Sequence, residues 1–175
     1  QKVGWDNPLI SKLWKYNLHY FEFLNQNNQT LDQLDSQFKI IENWIIMNPF
    51  GRGVAWEPYP TSIRIVNWIK WHWTTNRLSK EAKLSLWNQV KFLMAHVEYH
   101  LLGNHLLVNC KALLFASVFY GQNEDSKIFK KANSILKNEI FEQFLKDGSH
   151  FELSPMYHSL IMNDLLDLLS IAHML

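Results

Sequence analysis

Three stretches carry the side chains best suited to chemistry. They are "GRGVAWEPYPTSIRIVNW" from Gly51, "HLLGNHLLVNCKALLFAS" from His100, and "DGSHFELSPMYHS" from Asp147. In the second, Gly103, Asn104 and His105 interrupt an apolar run. An amide at Asn104 can donate a hydrogen bond to an anion without titrating. His105 can do the same at a helix N-terminus, where negative charge is favoured. In the third stretch, Ser154 followed by Pro155 is a strong helix-start signal, which puts Tyr157 in the first turn. A phenol has a pKa near 10, roughly three units too high for a base at neutral pH. A helix N-terminus and a neighbouring Arg or protonated His both favour the phenolate, so Tyr157 is a candidate proton-transfer group. His158 follows it, and His150 and Glu152 precede it; all three are candidate substrate contacts.

In the first stretch, Arg64 sits among Ile63, Ile65 and Trp68, which points to partial burial and a paired partner. Trp56, Glu57, Tyr59 and Trp68 are candidate sugar contacts, since flat rings edged with polar groups match a sugar's apolar face and hydroxyl rim. Each residue also has a plainer reading. Asn104 is a good N-cap behind a helix-ending Gly103, Tyr157 is a core or rim tyrosine, and the tryptophans are core.

The elements that must position these groups are helical. No alternating strand pattern appears, and the apolar period predicts seven helices at about 8–25, 31–48, 59–75, 79–101, 105–120, 125–146 and 155–174. Turns such as "NQNNQ", "NPFGRG" and "YGQNED" separate them. The second, fourth and sixth helices have charged faces, whereas the third, fifth and seventh are apolar most of the way round and require cover on most sides. That alternation predicts an all-α fold of antiparallel helical hairpins in two layers, an incomplete (α/α) toroid. Helices three, five and seven then run the same way, and their N-terminal ends share a rim. A plain bundle or solenoid fits the same helices.

Composition narrows the possibilities. With 175 residues the chain supports one domain over 1–175 with a real core. A formal net charge of +1 and no single-sign block give no support to nucleic-acid binding. No apolar run is long and charge-free enough to span a membrane. The single cysteine, Cys110, rules out an internal disulfide, and no ligand spacing calls for a metal; no cofactor is implied. The absence of an initiator Met and the ending "LLSIAHML" within a helical pattern predict an excerpt of a longer chain.

Taken in order, "WEPYPTSIRIVNW", "LLGNHLLVNCKALLFA" and "DGSHFELSPMYHSLIMNDLLDLL" resemble the α/α-toroid domain of the heparinase II/III-like polysaccharide lyases, from about Trp14 to the end. The resemblance implies β-elimination on an acidic, uronate-containing polysaccharide, with no metal or other cofactor in this region. It gives Asn104, helped by His105, the task of neutralising the uronate carboxylate, and Tyr157 that of moving the proton. Arg64 matches as a carboxylate or tyrosine partner. It also implies a C-terminal β-sandwich region with further His residues, absent here, and hence a fragment with little or no activity alone. A bacterial periplasm or cell envelope is the implied setting. Two alternatives are a non-catalytic toroid that binds acidic carbohydrate, and a toroid hydrolase pairing Glu57 with Glu152 or Asp147.

Overall fold

The structure is a computed structural model that describes residues 4–101 and 103–174. Its regular elements are all helical: α1 (Lys12–Tyr20), α2 (Leu31–Met47), α3 (Pro58–Thr75), α4 (Lys80–Ala95), α5 (Asn104–Phe119), α6 (Lys127–Gln143) and α7 (Pro155–Ala172). Short 3-10 turns occupy Glu22–Asn25 and Val54–Trp56. The chain forms two compact units, Gln1–Ala95 and His96–Leu175. The all-α class therefore holds.

The first unit is built round α3. Pro58 sets its first turn, and Asn76 ends it in the left-handed region at φ 53°. Between them Ile65, Trp68, Ile69 and Trp71 are fully buried. α2 starts with a reciprocal capping box between Thr30 and Gln33. The core is aromatic. Trp44 and Trp68 meet edge to face at 5.5 Å, and Phe21 packs edge-on against both. Such pairs add to area burial.

Arg64 lies inside this cluster with no exposure. Its guanidinium sits 4.0 Å from the Trp44 ring centroid. It donates to Gln89 Oε1 at 2.9 Å, to the His19 carbonyl at 3.3 Å and to Thr61 Oγ1 at 3.2 Å. Burial pushes its pKa down from the usual arginine value. The expected partial burial is complete, and the partners are neutral groups and a ring.

In the second unit α5 is the core helix, with every residue from Leu107 to Ser117 buried. α6 packs against it with one face, burying Ile128, Ala132 and Ile135. α7 packs on α5 through Ile161, Leu168 and Ile171.

Several expectations are corrected. The first helix does not run 8–25: it ends at Tyr20, because Phe21 adopts φ 61° and breaks the period. A bulky residue there costs about 1 kcal/mol or more, which the packing of its ring on Trp44 and Trp68 offsets. The fourth helix stops at Ala95 and not near residue 101. Beyond it, the Glu98 N–H donates to the Asn109 side chain at 2.9 Å and not to a helical carbonyl. The sixth helix begins at Lys127, capped by Ser126, and ends at Gln143. α7 is not covered on most sides among the described residues: Met156, Leu160, Leu166 and Leu169 are all exposed.

Candidate functional site

The start of α5 is the first component. Gly103, at φ 86° and ψ −148°, is the N-cap, and Asn104 is the first helical residue. The N-cap role expected for Asn104 therefore belongs to Gly103, for two physical reasons. That φ favours glycine, and a Cβ at 103 would stand 2.9 Å from Glu152 Oε1. The N-cap residue, being glycine, contributes no side-chain cap at this terminus. Asn104 and His105 are both half-buried.

His105 is oriented by a residue the sequence did not single out. Glu98, 7% exposed, has its Oε2 3.3 Å from His105 Nδ1 and 3.3 Å from Asn109 Nδ2. A carboxylate accepts, so Nδ1 carries the hydrogen, which fixes the imidazole's tautomer and rotation. The Asn109 Oδ1 bond to the Glu98 N–H closes the arrangement. Glu98 lay in what reads as an apolar helical tail, and no local spacing links it to His105.

The segment entering α7 is the second component. An isolated antiparallel bridge pairs Phe144 with His150. His150 is 1% exposed, with Nε2 3.1 Å from Gln143 Oε1. Gln143 Nε2 in turn donates to the Gly103 carbonyl at 2.9 Å and to Glu139 Oε2 at 2.5 Å. Burial pushes the His150 pKa down and the Glu139 pKa up. His150, expected to contact substrate, is thus an enclosed tie between this loop and the start of α5. Glu152 is exposed beside Gly103.

Ser154 Oγ accepts the Tyr157 N–H at 3.5 Å, and Pro155 opens the helix as the sequence signalled. Tyr157 and His158 are half-exposed. His158 lines a shallow groove of about 440 Å³ with Ser149, Leu153, Ser154 and Ser159.

The two starts lie at one level. Lys111, seven residues into α5 from Asn104, bonds Asp164 at 2.7 Å and Asp167 at 2.5 Å. Asp164 lies seven residues beyond Tyr157. With Gly103 beside Glu152, this makes α5 and α7 parallel and in register. Their N-terminal ends sit side by side, and the positive end of each helix dipole favours negative charge there.

Of the five candidates in the first unit, three are interior. Arg64 and Trp68 have no exposure, and Trp56 has 4% with its Nε1 donating to the Asn48 carbonyl. The core reading applies to these three: none presents a side chain for a sugar to meet. Glu57 and Tyr59 are half-buried at the start of α3. The Glu57 carboxylate accepts from Lys12 Nζ at 2.8 Å and from the Tyr16 hydroxyl. Tyr59 stands edge-on to Tyr20 at 6.1 Å. Among the described residues no group of three or more His, Cys, Asp or Glu could hold a metal ion. Among the described residues no helix is long and apolar enough to cross a membrane.

Comparison with known proteins adds a relationship to this geometry. The heparin-sulfate lyase of Pedobacter heparinus is 30% identical over 129 residues, which is 66% of this chain and 19% of that protein. The heparin-sulfate lyase of Bacteroides stercoris is 33% identical over 75 residues, 42% of this chain and 11% of that protein. The matched stretch therefore spans about a fifth or less of these curated relatives. No solved structure matches. The family described as Heparinase II/III N-terminus matches residues 14–175. The chain belongs to that family.

Proposed function

We propose that this chain is the helical, toroid-type part of a longer polysaccharide lyase that cleaves a uronate-containing polysaccharide by β-elimination. Both units belong to one helical domain in this reading, with a β-rich region elsewhere in the protein. The observation that carries it is the parallel seating of α5 and α7, which supports Asn104 and Tyr157 opening on one groove. Membership of the family and the two lyase relatives support the reaction class.

The chemistry follows from the groups. Removing the C5 proton beside a carboxylate builds further negative charge on that carboxylate. Donors preorganised where charge develops lower such a barrier most. Asn104, with the α5 N-terminus behind it, donates to the carboxylate. His105, held by Glu98, adds a second donor. Tyr157 takes the C5 proton and returns one to the departing glycosidic oxygen, leaving a C4–C5 double bond. One residue can serve both steps only when it reaches both atoms.

A hydrolase using Asp147 is less well supported. The Ser149 hydroxyl and N–H hold the Asp147 carboxyl below the usual carboxylate range, the wrong direction for a general acid.

The test is incubation of the full-length protein with heparan sulfate, alginate and hyaluronan, following ultraviolet absorbance of the unsaturated product. Absorbance growing with chain shortening is expected for at least one polymer. Shortening that yields saturated ends, or binding without cleavage, would select the hydrolase or the binding protein instead.

A further inference from the structure

At the far end of α3 from Glu57 and Tyr59 lies a groove that the lyase chemistry does not use. Trp73 is fourteen residues beyond Tyr59, about 20 Å along the helix at 1.5 Å per residue. The groove measures about 580 Å³, within the usual size of a small-ligand site. One wall is the loop Gln26–Gln29; the other is the last turns of α3, with Lys70 and Trp73.

The loop is amide-rich beyond what folding it requires. Asn28 stands at φ 57°, a conformation that asparagine tolerates, so its identity has a structural cause. Gln29 closes the loop, with Nε2 donating to the carbonyls of Leu24 and Gln26, both at 2.7 Å. Among the described residues the side chains of Gln26 and Asn27 make no hydrogen bond, although both line the groove. Gln29 Oε1 is a buried acceptor without a donor. Trp73 is 39% exposed. No acidic side chain lines the groove, and Lys70 supplies a cation.

We propose that this groove is a second carbohydrate-binding site that takes an acidic sugar unit. Primary amides offer paired donors and acceptors that match vicinal hydroxyls. An exposed indole supplies a flat apolar surface for the C–H face of a pyranose. Lys70 faces the carboxylate or sulfate of the same unit or its neighbour. The site stands on these residues alone and does not depend on the lyase reading.

The experiment is calorimetric titration of the full-length protein in a Tyr157→Phe background, in which the proposed lyase chemistry would not turn over the probe. The probes are an alginate tetrasaccharide and neutral cellotetraose. The acidic probe is expected to show a binding event that weakens about tenfold, near 1.4 kcal/mol, in Trp73→Ala and in the Gln26→Ala/Asn27→Ala double variant. Lys70→Met should reduce the preference for the acidic over the neutral probe. Far-ultraviolet circular dichroism checks that each variant is folded, and the loop double variant lies on an exposed segment where folding is not at risk. Unchanged affinity in both Trp73→Ala and the loop variant would overturn the site. Equal binding of the two probes, with no effect of Lys70→Met, would overturn its acidic specificity. Failure of the lyase reading would instead appear as the lack of unsaturated product from the wild-type protein, which this titration does not touch.

Discussion

Acidification should destabilise the first unit through one residue, His19. Its side chain is fully buried, with Nδ1 accepting from Trp44 Nε1 at 3.1 Å. Burial, and then the positive charge of Arg64, lower its pKa to about 3. In the unfolded chain an imidazole titrates near 6.5. Between those values the unfolded state binds a proton that the native state refuses, so stability rises with pH. The contribution is complete above about pH 6.5 and is lost as pH falls, at about 1.4 kcal/mol per unit. Going from pH 7 to pH 5 should therefore remove about 2 kcal/mol. All eight tryptophans lie in the first 87 residues, so urea unfolding followed by indole fluorescence reports this unit alone. His19→Gln keeps an acceptor for Trp44 and removes the titration. The wild type should lose about 2 kcal/mol more than the variant over this interval. Identical pH dependence in the two proteins would refute the argument.

Other consequences concern the second unit. Gln143→Ala removes the bridge between the Gly103 carbonyl, His150 and Glu139. It should cost about 2–3 kcal/mol of stability in urea titrations read by circular dichroism, since buried groups lose their partner. Lys111→Met leaves Asp164 and Asp167 together without their cation. It should lower stability by about 3 kcal/mol, read as a drop in the thermal midpoint. Gly103→Ala meets both an unfavourable φ and the Glu152 carboxylate. A loss of about 1–2 kcal/mol is expected, and adding Glu152→Ala should recover only the part due to the contact.

Much of the helical framework was legible because its signals are local. The Thr30–Gln33 box, Pro58 at the head of α3, and Ser154–Pro155 before α7 each fix a helix start within four residues of sequence. What escaped was decided at a distance. Phe21 ends α1 because aromatic partners 23 and 47 residues away hold it in the left-handed region. Residues 96–101 keep a helical apolar pattern, yet Asn109 captures the Glu98 N–H. The same capture makes Glu98 the partner of His105, which local spacing could not reveal. Gly103 and Asn104 are both acceptable N-caps, and the positive φ at 103 together with the Glu152 carboxylate pressed against that position separates them. Aromatic content did not sort itself: Trp56 and Trp68 are core, whereas Trp73, left unmarked, lines a groove.

The central claim is that Asn104 and Tyr157 act on one sugar unit. It is tested most directly by comparing turnover and substrate binding in full-length Tyr157→Phe and Asn104→Ala proteins, with unsaturated product followed in the ultraviolet. The account predicts that Tyr157→Phe abolishes kcat while polymer binding stays within a few-fold of wild type. It predicts that Asn104→Ala lowers kcat by about a hundredfold or more. Near-normal turnover in either variant would contradict it.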